Sequence, residues 1–450
     1  MALSLRLFAS GKDQPVIENQ QEVERLYKRN RLAVLLTVTL GYGCVYTCRL
    51  GMSVVKKPII DQGLFSAYDL GVIGSALFYG YAFGKLVNGF LADHANVKRF
   101  FATGILATAI INLAMGHSGL LWLWVALWGI NGWFQGFGAP TGAVTLANWF
   151  SKRERGRYYG IWSTGQNIGE GLTFFGSAAL VGVFGWQAGF WGPGIFCIFV
   201  AMAVYHFMQD RPQTLGLPSV ADWRNDHGVP IPESQTRALN TKKIQLLMLK
   251  FPAIWILGLA SATMYVSRYA INSWGIFYLQ EAKGYSALEA GGLVGLSALV
   301  GVGGSIAYGF ISDKWFDARR PPLTLLFGLV EILALIIIFF GPADKPVLLA
   351  MAFVVYGFTL NGLLAVLGGL FAIDIAPKRA AGAAMGFIGV FSYVGAALQD
   401  TISGHLIEQG KTVVDGVNHY DFSSAILFWV GASVVSMILA ATLWRAKVSD

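Results

Sequence analysis

Charged residues are scarce in this chain. Aspartate, glutamate, lysine and arginine make up 13% of its 450 residues, and apolar residues make up 55%. Soluble domains carry about 25% charged residues, so the composition excludes a water-exposed surface of the usual kind. A membrane-spanning helix needs about 20 predominantly apolar residues, and the length therefore allows about a dozen of them. The composition predicts an all-α polytopic membrane protein.

Metal-ligating residues are also few. The three cysteines, Cys44, Cys48 and Cys197, lie in apolar stretches without the CxxC spacing of a zinc site, and we expect them to be packing residues. The six histidines lie in loops or near the ends of apolar runs and form no cluster in the sequence. We therefore predict no metal, no cofactor and no enzymatic activity.

Twelve apolar runs separated by polar residues predict the membrane spans. The first six cover about 32–55, 70–92, 99–117, 120–147, 157–184 and 187–208, and the second six about 252–280, 288–312, 321–340, 346–375, 379–404 and 421–445. We predict two six-helix bundles, 32–208 and 252–445, with an N-terminal tail (1–31), a central loop (209–251) and a C-terminal tail (446–450). The first tail lacks the pattern of a cleavable leader, so we expect the first span to be retained.

The basic residues predict the orientation of these spans. Of the 33 lysines and arginines, 25 fall on the side of the two tails and the central loop, and five fall on the opposite side: Lys56, Lys57, Lys283, Lys345 and Lys411. Basic loops tend to stay in the cytoplasm, so both termini are expected to be cytoplasmic. The net charge of +8 then reflects topology, and we expect no nucleic-acid partner. We expect a monomer that spans the inner membrane of a bacterial cell in contact with its lipid bilayer.

A short motif occurs in both halves. The residues from Gly89 to Asp93, followed by Arg99, return 220 positions later with Asp313 and Arg320. Each copy lies in the loop after the second span of its half. Two parallel halves with a substrate site between them are typical of alternating-access carriers. We expect these loop residues either to govern conformational switching or to cap helices and stabilise the fold.

Three basic residues remain inside the predicted spans: Arg49, Lys85 and Arg268. Arg49 and Arg268 are 219 positions apart, close to the offset of the repeat, and so occupy equivalent places in the two halves. Arginine inside a membrane is costly and marks a functional site, and a guanidinium binds phosphate or carboxylate oxygens in pairs. We therefore predict that the two arginines bind an anionic substrate.

Acidic residues inside the spans provide an alternative, because Glu170, Glu331 and Asp400 could instead pair permanently with the arginines. Glu170 shares a helix face with Gln166, four positions earlier. That face could touch the substrate, balance an arginine or carry a coupling proton. Glu331 is expected to face a neighbouring helix, and Asp400 to lie towards the outer interface. Lys85 either reaches the cytoplasmic interface or extends the basic surface of the cavity.

Several strings along the chain are distinctive. They are Gly41-Tyr42 with Tyr46 and Arg49; Tyr81 to Lys85 with Gly89 and Asp93; Asn131-Gly132 with Phe134-Gln135-Gly136, Gly138 and Pro140; Trp149-Phe150 with Glu154-Arg155-Gly156; Trp162, Asn167 and Gly169; Arg211-Pro212 with Gly216-Leu217-Pro218; and Arg268, Asn272, Trp274-Gly275 and Tyr278-Leu279. In these segments the chain resembles the organophosphate:phosphate antiporters of the major facilitator superfamily. That family includes glycerol-phosphate, hexose-phosphate and phosphoglycerate carriers and a hexose-phosphate sensor.

The resemblance implies both a fold and an activity. The fold is the superfamily's two bundles of six transmembrane helices. The activity is exchange of an external phosphorylated metabolite for internal inorganic phosphate. By the same resemblance, Arg49 and Arg268 grip the phosphate and Lys85 is a basic helper.

The chain departs from this family in spans one, five and seven. The family's binding histidine is Gln166 here, a glycine is Glu170, an aspartate in span seven is Ser273, and the lysine that often follows the first arginine is Leu50. Glutamine does not titrate as histidine does, and a carboxylate at position 170 would repel a phosphate dianion unless it is protonated or paired. Three interpretations stay open: a different organic anion as substrate, coupling to protons, or a Glu170 that points into the protein as a counter-ion.

Aromatic and amide side chains complete the predicted substrate site. Tyr42 and Tyr46 offer hydroxyl groups, Trp162 offers a flat wall for a sugar ring, and Asn272 follows the second arginine. Each aromatic residue could equally serve helix packing alone.

These features predict a secondary active transporter. Its substrate would be a phosphorylated organic anion of the sugar phosphate, glycerol phosphate or phosphoglycerate class, exchanged for inorganic phosphate. One alternative is a membrane sensor of an external sugar phosphate that signals through a two-component partner kinase. Another is a proton-coupled carrier of a different organic anion.

Overall fold

The computed structural model describes residues 8–151, 153–226, 251–316, 319–371 and 381–445. Its first half is built from helices. They are α1 (Gln20–Asp61), α2 (Ala67–His94), α3 (Val97–Met115), α4 (Leu121–Gln135), α5 (Gly138–Trp149), α6 (Arg155–Phe184) and α7 (Ala188–Phe207). A short helix, α8 (Val220–Arg224), follows in the predicted central loop.

The second half repeats this helical architecture. Its helices are α9 (Pro252–Tyr269), α10 (Ile276–Lys283), α11 (Ala287–Trp315), α12 (Arg320–Phe340), α13 (Pro346–Ala365), α14 (Ala381–Gln409) and α15 (Ser423–Thr442). A small antiparallel hairpin, β1 (Lys411–Val414) and β2 (Val417–Tyr420), connects α14 to α15 and pairs Lys411 with Tyr420.

Ten helices of the described residues are long and apolar enough to cross a membrane. The helix pair α4–α5 and α14, which cover the other two predicted spans, are not among these ten, and the full count of twelve spans stays a prediction. The outer surface carries many large apolar side chains; Val183, Phe340 and Leu427 are 70–76% exposed. So many exposed apolar side chains are typical of a surface that faces lipid and not water. The helical membrane fold predicted from composition is confirmed.

Helix α1 begins twelve positions before the predicted first span, at Gln20. Its start is capped by Asn19, whose side chain accepts hydrogen bonds from the backbone N–H groups of the first turn at 3.0 and 3.3 Å. On this polar extension the ring of Tyr27 stacks on Trp223 of α8, with centroids 4.0 Å apart. The end of the predicted tail therefore folds onto the predicted central loop.

The predicted span 120–147 consists of two helices that separate after Gln135. Pro140 has no N–H to donate to the carbonyl of Gly136, so the helix breaks at that point. The break leaves Gln135 at the end of α4, where its side chain contacts α1.

Helix α9 continues into α10 through a π-helical turn, Ala270–Gly275, that sequence periodicity did not predict. Such turns insert an extra residue and are frequent at functional sites. The turn begins two positions after Arg268, and its residues Asn272, Ser273 and Trp274 are all buried. It turns polar side chains of the second half towards the first.

The two halves pack against each other through α2 with α14 and through α6 with α11. At the second crossing, the backbone of α11 at Gly291 approaches the carbonyl of Phe174 on α6. A Cβ atom added at Gly291 would lie 2.5 Å from that carbonyl oxygen and 2.9 Å from the Cβ of Ala178. Small residues allow close helix packing inside a membrane, and here only glycine permits this approach.

Replacement of Gly291 by alanine is expected to push α6 and α11 apart and to lower the free energy of unfolding by about 1–3 kcal/mol. Thermal unfolding in detergent measures this effect. Gly292→Ala is the matched control, because nothing lies within 4 Å of a Cβ at Gly292 and both variants gain the same helix propensity. Equal stability of the two variants would contradict the packing argument.

A buried ion pair also joins the halves, near the end of the bundle where α1 ends and α2 begins, which we call the α1–α2 end. The ammonium of Lys56 on α1 lies 3.6 Å from a carboxylate oxygen of Asp400 on α14, and both side chains are at most 2% exposed. Lys56 donates a hydrogen bond to Ser273 Oγ at 2.8 Å and lies 3.3 Å from the centroid of the Trp274 ring. The Ser273 hydroxyl and the Trp274 indole donate to Asp400 at 2.6 and 2.7 Å.

The position of Lys56 corrects the sequence analysis, which counted it with the basic residues of the outer loops. Because α1 continues to Asp61, Lys56 lies inside the helix, and its ammonium is satisfied by Asp400 and Ser273. Lys57 forms an ion pair with Glu281 of α10 at the same end of the bundle. The charge-balance role predicted for Asp400 therefore has a partner that the sequence analysis had placed elsewhere.

Asp400→Asn is expected to lower the free energy of unfolding by about 3–5 kcal/mol, because it leaves the buried Lys56 charge without its counter-ion. Guanidinium or thermal unfolding in detergent measures the loss. Glu281→Gln is the comparison, since its partner Lys57 is 30% exposed and a partly exposed pair contributes less. The double variant Lys56→Met with Asp400→Asn should recover most of the loss, and a failure to recover any would contradict the ion-pair explanation.

The three cysteines form one cluster between α1 and α7. Cys44 and Cys197 are joined by a disulfide, and the sulfur of Cys48 lies 3.3 Å from that of Cys197. All three are buried in the core, as expected of packing residues, and the bond between Cys44 and Cys197 is a feature that the sequence analysis did not predict. A separation of 153 positions gave no local signal of the pairing, which depends on the packing of the two helices.

Candidate functional site

The two predicted arginines lie in the interior, one in each half. Arg49 is on α1 and Arg268 is near the end of α9, and they are 3% and 4% exposed. Each is in the first helix of its half, as the repeat predicts. Their surroundings differ, however, and the difference determines what each can bind.

Arg49 is held through its Nε atom, whereas its terminal nitrogens lack partners in the described part of the chain. Its Nε donates to Gln135 Oε1 at 2.7 Å, and Gln135 in turn donates to Asn131 at 3.3 Å. The guanidinium lies between the rings of Tyr46 and Tyr81, 4.7 and 4.4 Å from their centroids. Among the described residues, Nη1 and Nη2 have no hydrogen-bond partner although they are buried. A buried guanidinium with two free terminal nitrogens is a ready donor pair for an anion.

Arg268 already has an anionic partner. It forms an ion pair with Glu170 of α6, which belongs to the other half. The same carboxylate accepts hydrogen bonds from Gln166 at 3.1 Å and from Asn272 at 3.4 Å. Gln166 and Glu170 thus share one helix face, as their spacing predicts. For Arg268 the structure favours the counter-ion interpretation of Glu170.

Tyr46, whose ring lies against Arg49, belongs to a cluster of aromatic side chains. The ring of Tyr42 lies 4.6 Å from that of Trp162, and its hydroxyl is 3.4 Å from the hydroxyl of Tyr46. The indole N–H of Trp162 is buried and has no hydrogen-bond partner in the described part of the protein. These predicted residues are brought together in the first half.

Lys85 faces the second half. Its ammonium lies 5.7 Å from the ring centroid of Tyr393 on α14, and the rings of Tyr81 and Tyr393 are 4.4 Å apart. Lys85 therefore lies between the halves, which favours the interpretation that it extends the basic surface of the cavity. Tyr393 was not identified from the sequence, since one more tyrosine in an apolar span carries no signal by itself.

Neither of the other two acidic residues of the spans pairs with an arginine among the described residues. Asp400, paired with Lys56, borders the same small cavity as Arg49, Asn272 and Ser273. Glu331 is fully buried in the second half, where it accepts hydrogen bonds from Ser267 at 2.6 Å and from Ser433. Among the described residues Glu331 has no ion-pair partner, so it does not serve as the counter-ion of Arg268.

The repeated loop motif lies at the other end of the bundle. In the second half, Arg320 donates to Asp313 at 2.7 Å and to Ser312 at 2.9 Å, which connects α12 to α11. In the first half, Gly89 and Asp93 belong to α2, but the side chain of Asp93 lies outside the described residues.

Arg99 lies in the first turn of α3, and its backbone N–H donates to Asn96 at 3.1 Å. Contacts of this kind fit a stabilising role for the motif, and the switching role stays a prediction.

Comparison with known proteins identifies the fold and the family of this chain. A family model described as Major Facilitator Superfamily matches residues 38–399. The chain is 35% identical to the membrane sensor protein UhpC of Escherichia coli, over 86% of this chain and 88% of that protein. It is 31% identical to a glycerol-3-phosphate transporter of Bacillus subtilis, over 96% and 97% of the two chains.

Two further comparisons agree with these. The chain is 34% identical to a probable hexose phosphate transport protein of Chlamydia trachomatis, over 96% of this chain and 94% of that protein. Among solved structures, a bacterial homologue of the human lysosomal transporter Spinster, inward-facing and unoccupied, matches with a TM-score of 0.76 at 16% identity, over 94% and 99% of the chains. The last comparison shows the fold alone.

The family model covers most of the chain, and the relatives match it over nearly their full length. These relatives are membrane carriers and sensors and not enzymes, so the predictions of a non-enzymatic, multi-pass inner-membrane protein are confirmed. The chain belongs to the Major Facilitator Superfamily and, within it, to the organophosphate group that its motifs predict.

Proposed function

We propose that this protein is a secondary active transporter of a small phosphorylated organic anion. The observation that carries the proposal is Arg49, whose two terminal nitrogens are buried and have no hydrogen-bond partner in the described part of the chain. Phosphate oxygens match such a donor pair in geometry and charge. The named relatives include glycerol-3-phosphate and probable hexose phosphate transporters, which supports the sugar phosphate, glycerol phosphate or phosphoglycerate class.

Exchange for inorganic phosphate is part of the proposal. A free phosphate presents the same oxygens to Arg49 as a phosphorylated metabolite does, so the same site serves both directions of alternating access. Trp162, Tyr42 and Tyr46 then contact the organic part of the substrate, and Lys85 contributes positive charge from the side of α2.

Arg49→Lys is expected to reduce transport at least tenfold. Lysine keeps the charge but loses the paired donors, and each hydrogen bond to a charged group contributes about 1.5–3 kcal/mol. The measurement is uptake of labelled phosphate and of labelled sugar phosphate into phosphate-loaded proteoliposomes. Arg25→Lys is the matched control, because the Arg25 side chain is 78% exposed. Normal transport by Arg49→Lys would refute the assignment of Arg49.

A sensor function is the second candidate, because the relatives include a membrane sensor protein at 35% identity. A sensor would bind sugar phosphate through the same Arg49 but would need no transport cycle. Binding without uptake in the proteoliposome experiment, together with a ligand-dependent response of a partner kinase, would favour the sensor. Uptake driven by a pH gradient without internal phosphate would instead favour the proton-coupled carrier.

A further inference from the structure

We infer that Glu170 acts as a tethered substitute for the substrate anion, so that the empty protein can pass between its two orientations and carry out net transport as well as exchange. The inference rests on the proposed transport function. It concerns how the empty carrier changes back from one orientation to the other when no substrate is bound.

The ion pair between Glu170 and Arg268 crosses the interface between the halves. Glu170 belongs to α6 and is 4% exposed, and Arg268 belongs to α9 and is also 4% exposed. Asn272 of the second half and Gln166 of the first half donate to the same carboxylate, at 3.4 and 3.1 Å. One carboxylate thus accepts hydrogen bonds from side chains of both halves, as an anionic substrate bound between the halves would.

The electrostatic consequence concerns the empty state. Without Glu170, the Arg268 guanidinium would stay buried between the halves without its ion-pair partner. The cost of burying this unpaired charge would oppose closure around an empty centre. With Glu170 in place, Arg268 is neutralised from the opposite half, whereas Arg49 has no anionic partner among the described residues. The charge of Arg49 is partly compensated by the faces of Tyr46 and Tyr81.

The same contact makes Glu170 a competitor of the substrate. A phosphate that binds both arginines must displace the Glu170 carboxylate from Arg268. It can bind Arg49 without displacing any side chain that the structure describes. Removal of the negative charge should therefore tighten substrate binding and hinder the return of the empty carrier. A carrier without Glu170 would be restricted to exchange.

The test compares two fluxes from the same proteoliposomes. Vesicles are loaded with labelled phosphate, and efflux is measured into phosphate-free buffer and into buffer with unlabelled phosphate. Potassium with valinomycin clamps the membrane potential. For the natural protein we expect the rate with external phosphate to exceed the rate without it by less than threefold. For Glu170→Gln, and for Glu170→Gly, we expect exchange to persist and the ratio to exceed tenfold.

Glu331→Gln is the control, because Glu331 is also buried but has no ion-pair partner among the described residues. Its ratio should match that of the natural protein. Natural protein that releases phosphate only in exchange, or a Glu170→Gln ratio equal to the natural one, would overturn the inference and leave the proposed transport function intact. Absence of both fluxes in the natural protein would refute the transport function and the inference together. If neither Glu170 variant folds, as judged by thermal unfolding, the natural protein alone tests the inference. A ratio below threefold then supports it, and release of phosphate only in exchange overturns it.

Discussion

A guanidinium that is removed from water needs compensation for its charge, and this constraint organises the centre of the protein. Burial of a charge costs several kcal/mol unless partners replace the lost solvent. The two halves meet the constraint differently. Arg268 is neutralised by Glu170 from the opposite half, while Arg49 has one amide partner, two aromatic faces and two free nitrogens. Two arginines in equivalent positions therefore differ: Arg268 is paired with a carboxylate, and the terminal nitrogens of Arg49 have no acceptor among the described residues.

The same interface carries a second buried ion pair, which holds the halves together near the α1–α2 end. Lys56 and Asp400 belong to different halves and share Ser273 as a hydrogen-bond partner. Ser273 lies in the π-helical turn that follows Arg268. The backbone irregularity thus serves both contacts, because it directs Asn272 to Glu170 and Ser273 to Asp400. Any movement that separates the halves at this end must break the Lys56 pair, and any movement around the centre must alter the Arg268 pair.

Much of the site was predictable because arginine in an apolar span is rare enough to be informative. The repeat offset located Arg49 and Arg268 in equivalent helices, and the four-residue spacing located Gln166 beside Glu170. Gln135 stood in a recognised string, but nothing in that string indicates that its amide holds Arg49. Lys56 was misplaced because the apolar run ends at position 55 while the helix continues to Asp61. Hydropathy shows where a run of apolar residues ends. It does not show that a helix continues past that point when its polar residues are buried against other helices.

The sequence by itself predicted the helical membrane fold, its division into similar halves, its family and the two buried arginines, because these rest on composition, on a repeated pattern and on short strings of residues. Only the tertiary structure decided which charge neutralises which. Glu170 and Arg268 are 98 positions apart, and Lys56 and Asp400 are 344 apart. Pairing over such distances depends on how the two halves approach each other. The physical reason is that charge compensation in a low-dielectric interior acts over a few ångströms, and helix packing between the halves alone sets those distances.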